Sequence, residues 1–318
     1  MKQIALLGLA LLYFSCSSAP TKHNNLIRTV HLKMKKSPSI GKTLSGQEVF
    51  TGGFSGLFFT EMKDGEFLFS AITDRGPNGF SIGNERPFLL PDFSPQIVKL
   101  KTDLKNNTFE VQGALKLQKK NGAPLSGLPN IRTEENPLDV FGLMYSIDTD
   151  GLDTEALTSD DEGGYWVGEE YAPSLVHFSS SGKMLRRLLP FNELPKMYSE
   201  RKTNRGFEGI AKEKNKIYGF LQSPLPMETF GRIVEVDLES MKTAAEYFYE
   251  FDKGMDKIGD SANLGDGQFL VLEHNGKAND ESRKLLYKIK LDGSDRFVKK
   301  ELLLDLKNTP FKNIENYL

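Results

Sequence analysis

The chain of 318 residues is 38% hydrophobic and 26% charged, with a formal net charge of −2. That profile excludes a polytopic membrane protein and a disordered tail. It offers no basic face, so nucleic acid is not an expected partner. The first predicted element is the apolar run from Ile4 to Phe14, behind Met1-Lys2. It has the length of a secretory h-region and is too short to span a bilayer, so residues 1–15 are predicted to be a signal peptide.

Ser15-Cys16-Ser17-Ser18 follows, and Cys16 is the only cysteine of the chain. A lone cysteine there resembles the lipobox of bacterial lipoproteins, in which the cysteine is lipidated and becomes the new N-terminus. Tyr13-Phe14-Ser15 departs from the usual Leu-small-small pattern, so plain secretion is the alternative. Either way the product is expected to be exported, periplasmic or at the outer surface, with membrane contact only through an anchor on Cys16. No intrachain disulfide is possible, so stability must come from the core or from bound metal. Residues 16–24 read as a flexible linker and 25–318 as one domain, expected to be a monomer.

Beyond the linker the chain repeats itself about every fifty residues. Glu155-Ala-Leu leads into WVGE ending at Glu169, Glu208-Gly-Ile into YGFLQ ending at Gln222, and Gly259-Asp-Ser into FLVLE ending at Glu273. In each unit the two ends lie 14 residues apart. Two periods upstream of Glu169 stands Asp74, closing FLFSAITD. A later strand pattern follows in every unit, for instance LVHF at 175–178 and IVEV at 233–236, then a polar turn and another apolar strand. Short alternating strands joined by such turns read as antiparallel hairpins. Four strands per unit, repeated, predict an all-β chain: a β-propeller of about six four-stranded blades. The alternative is a β-sandwich with evenly spaced strands. Ile314-Glu315-Asn316 looks like the opening of one more unit, so the last blade is expected to be incomplete at the C-terminus.

Smaller signals fill in the units. LPKMYSERK (194–202) reads as a short helix, and Asp160-Asp161-Glu162-Gly163-Gly164 as a solvated hairpin turn. His177 sits in an alternating strand and is expected to pack. Gly53-Phe54-Ser55-Gly56 is one residue short of a nucleophile elbow and precedes a strand instead of following one, so nucleophilic catalysis by Ser55 is not expected. The acidic run from Asp148 to Glu155 carries its glycine at the wrong place for an EF-hand loop.

SGLFF (55–59), AITDRGPNG (71–79), DTEAL (153–157), YWVGEEYAPSLVHFSSSGK (165–183), NRGFEGIA (204–211), LQSPL (221–225) and DGQFLVLEHNG (266–276) together resemble the bacterial family described as esterase-like activity of phytase. The resemblance covers residues from about 45 to 318. It implies a propeller distantly akin to the calcium-dependent phytases. His274 stands where the family commonly has an arginine.

In a propeller the inner strands line a central channel, and equivalent positions of successive blades meet at its mouth. Asp74, Glu169, Gln222 and Glu273 are therefore expected to converge there, with Glu155 and Glu208 approaching from the same side. Glu170, one residue on, should point away if the strand still alternates. Clustered carboxylates raise one another's pKa, and a divalent cation removes that cost. Calcium suits oxygen ligands from separate blades, whereas zinc would want histidine or thiolate. The expected metal ligands are thus Asp74, Glu155, Glu169, Glu208, Gln222 and Glu273, and the expected catalytic residues Asp74, Arg75, Glu169 and Glu273. Arg75 is cast as a clamp for an anionic group; Arg205 is a weaker candidate for the same role. Two functions fit: a calcium-dependent hydrolase of phosphate or related small anionic esters, or a non-catalytic, envelope-anchored propeller that binds a ligand or partner protein.

Overall fold

Alternating strands and tight turns dominate residue by residue. Phe54–Lys63 and Glu66–Thr73, for example, are joined by only Asp64 and Gly65, both at positive φ (54° and 79°), the geometry that matches strand twist in a two-residue hairpin. The computed structural model describes residues 30–293 and 295–308. Four sheets of this kind form four blades. Blade I comprises Phe54–Lys63, Glu66–Thr73, Gln96–Asp103 and Thr108–Lys116, with Lys33–Met34 added in parallel at its outer edge. Blade II is Thr154–Ser159, Tyr165–Glu169, Ser174–Phe178 and Met184–Leu188. Blade III is Phe207–Glu213, Lys216–Leu221, Phe230–Asp237 and Lys242–Glu250. Blade IV is Lys257–Gly265, Gln268–His274, Lys284–Lys290 and Lys300–Asp305. The expected short helix is a single 3-10 turn, Lys196–Glu200.

The core lies between blades. Trp166 packs with Phe207, Ile210 and Val234 of blade III, while its neighbours Tyr165 and Val167 pack with Ile72 and Ile97 of blade I. A third interblade cluster joins Phe220 and Tyr249 to Phe269 and Val271. Strand alternation thus sends successive side chains of the second strand of blade II into two different cores. The inner strands run very close. A Cβ on Gly56 would lie 2.8 Å from the Ala156 Cα, so only glycine admits that approach of blades I and II. Blade IV returns to blade I through Asp260, whose carboxylate accepts a hydrogen bond from the Leu57 N–H.

Among the described residues, four blades stand where about six were expected. Asp74 and Glu169 stand two periods apart in sequence but belong to adjacent blades. The stretch between them, 117–153, builds no blade: its one strand, Asn136–Leu138, pairs in parallel with Glu85–Pro87 from the loop after blade I. These loops rest on each other through Glu135, which accepts from Arg75 Nη1 and Arg86 Nε, both at 2.7 Å. Residues up to 29, Cys16 included, and the Ile314-Glu315-Asn316 opening lie outside the described residues.

Candidate metal and active site

Every blade carries a β-bulge at the same place on its inner strand. Phe54 pairs with Thr73 and Gly56 with Ile72, leaving Ser55 unpaired. In the same way Glu155 is left out in blade II, Glu208 in blade III and Gly259 in blade IV. A bulged residue bends its strand and re-aims its own side chain. In blades I to III the second strand ends across from the bulge, and the next residue is Asp74, Glu170 or Gln222. In blade IV the strand runs one residue further, through His274, which pairs with Lys257. The first three share one backbone bond, donating N–H to the carbonyl two residues before the bulge: Gly53 at 2.8 Å, Asp153 at 3.0 Å and Gly206 at 2.8 Å.

This register corrects the expected alignment for two residues. Glu169 and Glu273 are the paired strand residues, equivalent to Thr73 and Leu221, and both are fully buried away from the mouth. The Glu169 carboxylate accepts from Tyr171 N–H (2.8 Å), Ala172 N–H (3.1 Å), Ser174 Oγ (2.8 Å) and Arg187 Nη2 (3.0 Å). Glu273 accepts from Tyr249 Oη (2.7 Å), Asp252 N–H (2.8 Å) and Lys300 Nζ (2.6 Å). The Glu169 carboxylate is saturated inside blade II, and that of Glu273 at the junction of blades III and IV. Glu170, expected to point away, is the one that joins the mouth. The blade III hairpin is one residue shorter than those of blades II and IV, so a constant spacing of 14 steps past Leu221 onto Gln222 and mixes the two faces.

Asp74, Glu155, Glu208 and Gln222 do come together, joined by Asp153 and Glu170. Carboxylate oxygens of Asp74, Asp153 and Glu155 lie within 4.8 Å of one another, and so do those of Glu155, Glu170 and Glu208. Glu155 belongs to both groups. Asp153, 1% exposed, has neither oxygen hydrogen-bonded; Arg75 Nη1 is 3.0 Å from Oδ2 but out of alignment. Glu170 Oε1 and Gln222 Oε1 are likewise buried without a hydrogen-bond partner, while Gln222 Nε2 donates to Glu208. Unpartnered buried oxygens of this kind are costly, and a cation held by either acidic group would give its oxygens a partner. The donor set is oxygen only, which fits calcium and not zinc.

Burial, then mutual repulsion, pushes the carboxyls of Asp153, Glu155, Glu170 and Glu208 well above the usual carboxylate range. Asp260, beside the blade IV bulge, is raised by burial to about 7, against the hydrogen bonds it accepts from Ser261 and Leu57. These groups hold protons more tightly folded than unfolded. They therefore favour the folded state at low pH, and that contribution fades as pH rises through the raised values. In chelator, the melting temperature is expected to fall from pH 5 to pH 8 by several degrees, an effect of order 2 kcal/mol or more from Asp260 alone. A chelated protein that melts higher at pH 8 than at pH 5 would refute this.

Arg75 is 6% exposed and surrounded: Glu135, Asp153, Tyr171 Oη at 3.1 Å, and the Phe88 and Tyr171 rings. Burial opposes its charge, yet Asp153, Tyr171 and Glu135 outweigh that and hold its pKa above the ordinary value. It therefore orients Asp153 and the 117–153 loop and does not present a free fork to solvent. A cleft of about 370 Å³ lined by Arg132, Pro173, Phe191 and Arg201 opens behind Tyr171, but it contains none of the acidic oxygens. His177 packs as expected, stacked on Trp166 at 4.5 Å and bonded to Asp160 at 2.7 Å. Asp160 in turn closes its hairpin by accepting from the Glu162 and Gly164 N–H groups. Sequence reasoning missed Asp153 and Asp260, and set Glu170 aside. Asp153 lay in an acidic run judged only as an EF-hand, and Asp260 in the unit-opening triplet that lacks a glutamate.

Among curated proteins, an uncharacterized secreted protein of Arthroderma benhamiae is 26% identical over a stretch covering 31% of this chain and 26% of its own length, so the chain matches only about a quarter of that relative. Among solved structures, a protein of unknown function from Bacteroides caccae shares 12% identity over 88% of this chain and 78% of its own, with a TM-score of 0.40. The Dos1 propeller shares 11% over 87% and 66%, with a TM-score of 0.36. No helix of the described residues is long and apolar enough to cross a membrane. A family model matches residues 50–317, and on that span the chain belongs to the phytase-like family, whose description is esterase-like activity of phytase.

Proposed function

We propose that the protein is a metal-dependent ester hydrolase whose calcium site is the channel mouth of Asp74, Asp153, Glu155, Glu170, Glu208 and Gln222. The observation that carries it is the set of buried acidic and amide oxygens without partners, converging from blades I to III. Family membership supports the reaction class. Bound calcium would polarise an ester oxygen and lower the pKa of a water ligand. The chain's own groups do the rest. Glu155 links the two halves of the site, and Arg75 aims Asp153 into the first half. Asp260, titrating near neutrality beside Glu208, is suited to take a proton from the attacking water and pass it to the leaving alcohol.

Export is part of this reading. It rests on the apolar run Ile4 to Phe14 and on a relative described as secreted. Lipidation of Cys16 would be tested by mass spectrometry of the mature N-terminus, and an unmodified cysteine would leave plain secretion.

The direct test is melting and turnover in calcium against chelator, on 4-nitrophenyl phosphate and 4-nitrophenyl acetate. Saturating calcium at 100 times its Kd is expected to add about 2.7 kcal/mol of stability and to switch turnover on. A shift without turnover of either ester would favour the non-catalytic, ligand-binding propeller.

A further inference from the structure

We propose that the cleft beside Tyr171 is a second binding site, one that takes a carboxylate carried on a six-membered ring, as in an aromatic acid or a sugar acid. The inference goes beyond the metal reading and does not depend on it.

The cleft opens on the same face as the acidic mouth. In blade II the second strand ends at Glu169, and the fourth runs parallel to it and ends at Leu188 on the same side. The cleft is built from the connections that follow these two strands, 170–173 and 189–206, with Arg132 added from the loop 117–153. Tyr171 is the wall common to both sites: it lines the cleft, while its Oη accepts from Arg75 Nη1. The volume, about 370 Å³, has room for one small molecule.

The first observation is the charge of the lining, two arginines and no acid. Arg201 is 8% exposed, so its charge is buried. Its Nη2 donates to the backbone carbonyls of Arg132, at 3.1 Å, and of Tyr171, whereas Nε has no hydrogen-bond partner. Its ion-pair partner among the described residues, Glu134, is itself half-exposed and lies 3.7 Å from Nη1, beyond hydrogen-bond reach. Arg132 is exposed, and its guanidinium makes no hydrogen bond or ion pair among the described residues. A buried guanidinium met only by carbonyl dipoles and one distant carboxylate is costly until an anion joins it. The two oxygens of a carboxylate suit a pair of guanidinium groups.

The second observation is the apolar side of the cleft. Pro173 and Pro190, both buried, give it flat aliphatic faces, and Phe191, 69% exposed, adds an aromatic one. Phe191 sits at a φ of 72°, in a compact turn where the N–H groups of Asn192, Glu193 and Leu194 all point to the Leu189 carbonyl. That conformation suits glycine, yet a large aromatic stands there, strained and without a core to pack into. A flat ring laid on Phe191 would use the side chain as its exposure invites. Asn192 and Ser199 supply exposed polar groups at the same cleft, within reach of a sugar acid's hydroxyls. Phosphate lacks the ring and a neutral ring lacks the charge, so neither uses the whole site.

Ligand-observed NMR titration of the full chain with benzoate and with glucuronate, in chelator so that no metal contributes, tests this. At least one ring acid is expected to bind at a single site, with acetate, inorganic phosphate and benzyl alcohol each at least about tenfold weaker. Arg132→Gln, at an exposed side chain, is expected to weaken the ring acid at least about tenfold. Phe191→Gly should weaken it about fivefold and still melt within about 2 °C of the parent, because glycine accepts the positive φ. Binding of benzoate alone makes the ligand an aromatic acid, and of glucuronate alone a sugar acid. Binding of neither, equal affinity for acetate or phosphate, or unchanged affinity in both variants overturns the proposal. A Phe191→Gly chain that melts well below its parent would make the aromatic ring structural and overturn its assignment. Failure here leaves the calcium test untouched, and failure of the calcium test leaves the cleft standing.

Discussion

Replacing Glu155 by glutamine is expected to cut ester turnover about 100-fold or more while making the metal-free protein no less stable than its parent. Glu155 is the one residue whose oxygens belong to both acidic groups, so its loss opens both at once. A loss of about 3 kcal/mol in stabilising the transition state corresponds to roughly that rate factor. The stability prediction runs the other way. In chelator Glu155 is held among Glu208, Asp153, Asp74 and Glu170, all of which repel its charge. Removing one charge relieves that repulsion, so the variant should melt at or above the parent in chelator and should lose most of the response to calcium. Glu169→Gln supplies the contrast. Its carboxylate accepts four close hydrogen bonds inside blade II, so that variant should melt lower in every buffer yet still respond to calcium. Two variants that behave alike would show that burial, not membership of the cluster, decides the outcome.

Arg75→Ala is expected to cost about 3–5 kcal/mol, the largest loss of stability from any single change considered. The guanidinium neutralises Glu135 and faces Asp153, both buried, and truncation strands those charges in place. For a chain of this size the melting temperature should drop by roughly 10 °C. Arg75→Lys should recover part of the loss, because Glu135, Asp153 and Tyr171 Oη all face the one nitrogen Nη1, a place an ammonium can approach. Calcium should offset part of the deficit, since it would neutralise Asp153 from the other side. A melt within about 1 °C of the parent would show that Glu135 and Asp153 protonate without penalty and that Arg75 organises nothing.

The repeat unit, its four strands and its opening glutamates could be read in the one-dimensional pattern. Strand alternation, turn residues and a fifty-residue period are local properties, and Glu155 and Glu208 open two equivalent units in plain view. The stretch 117–153 has the length of a blade but not its pairing, and only its docking against the loop after blade I reveals that it adds no blade. Which of Glu169 and Glu170 reaches the mouth was decided by a bulge at Glu155 and by a hairpin one residue shorter in blade III. A single residue of register exchanges the two faces of a strand, and register is set by turn geometry and packing between blades, neither of which a spacing count contains. Asp260 is brought beside Glu208 by the contact of blades III and IV, which sequence order does not encode, whereas Asp153 stands only two residues before Glu155.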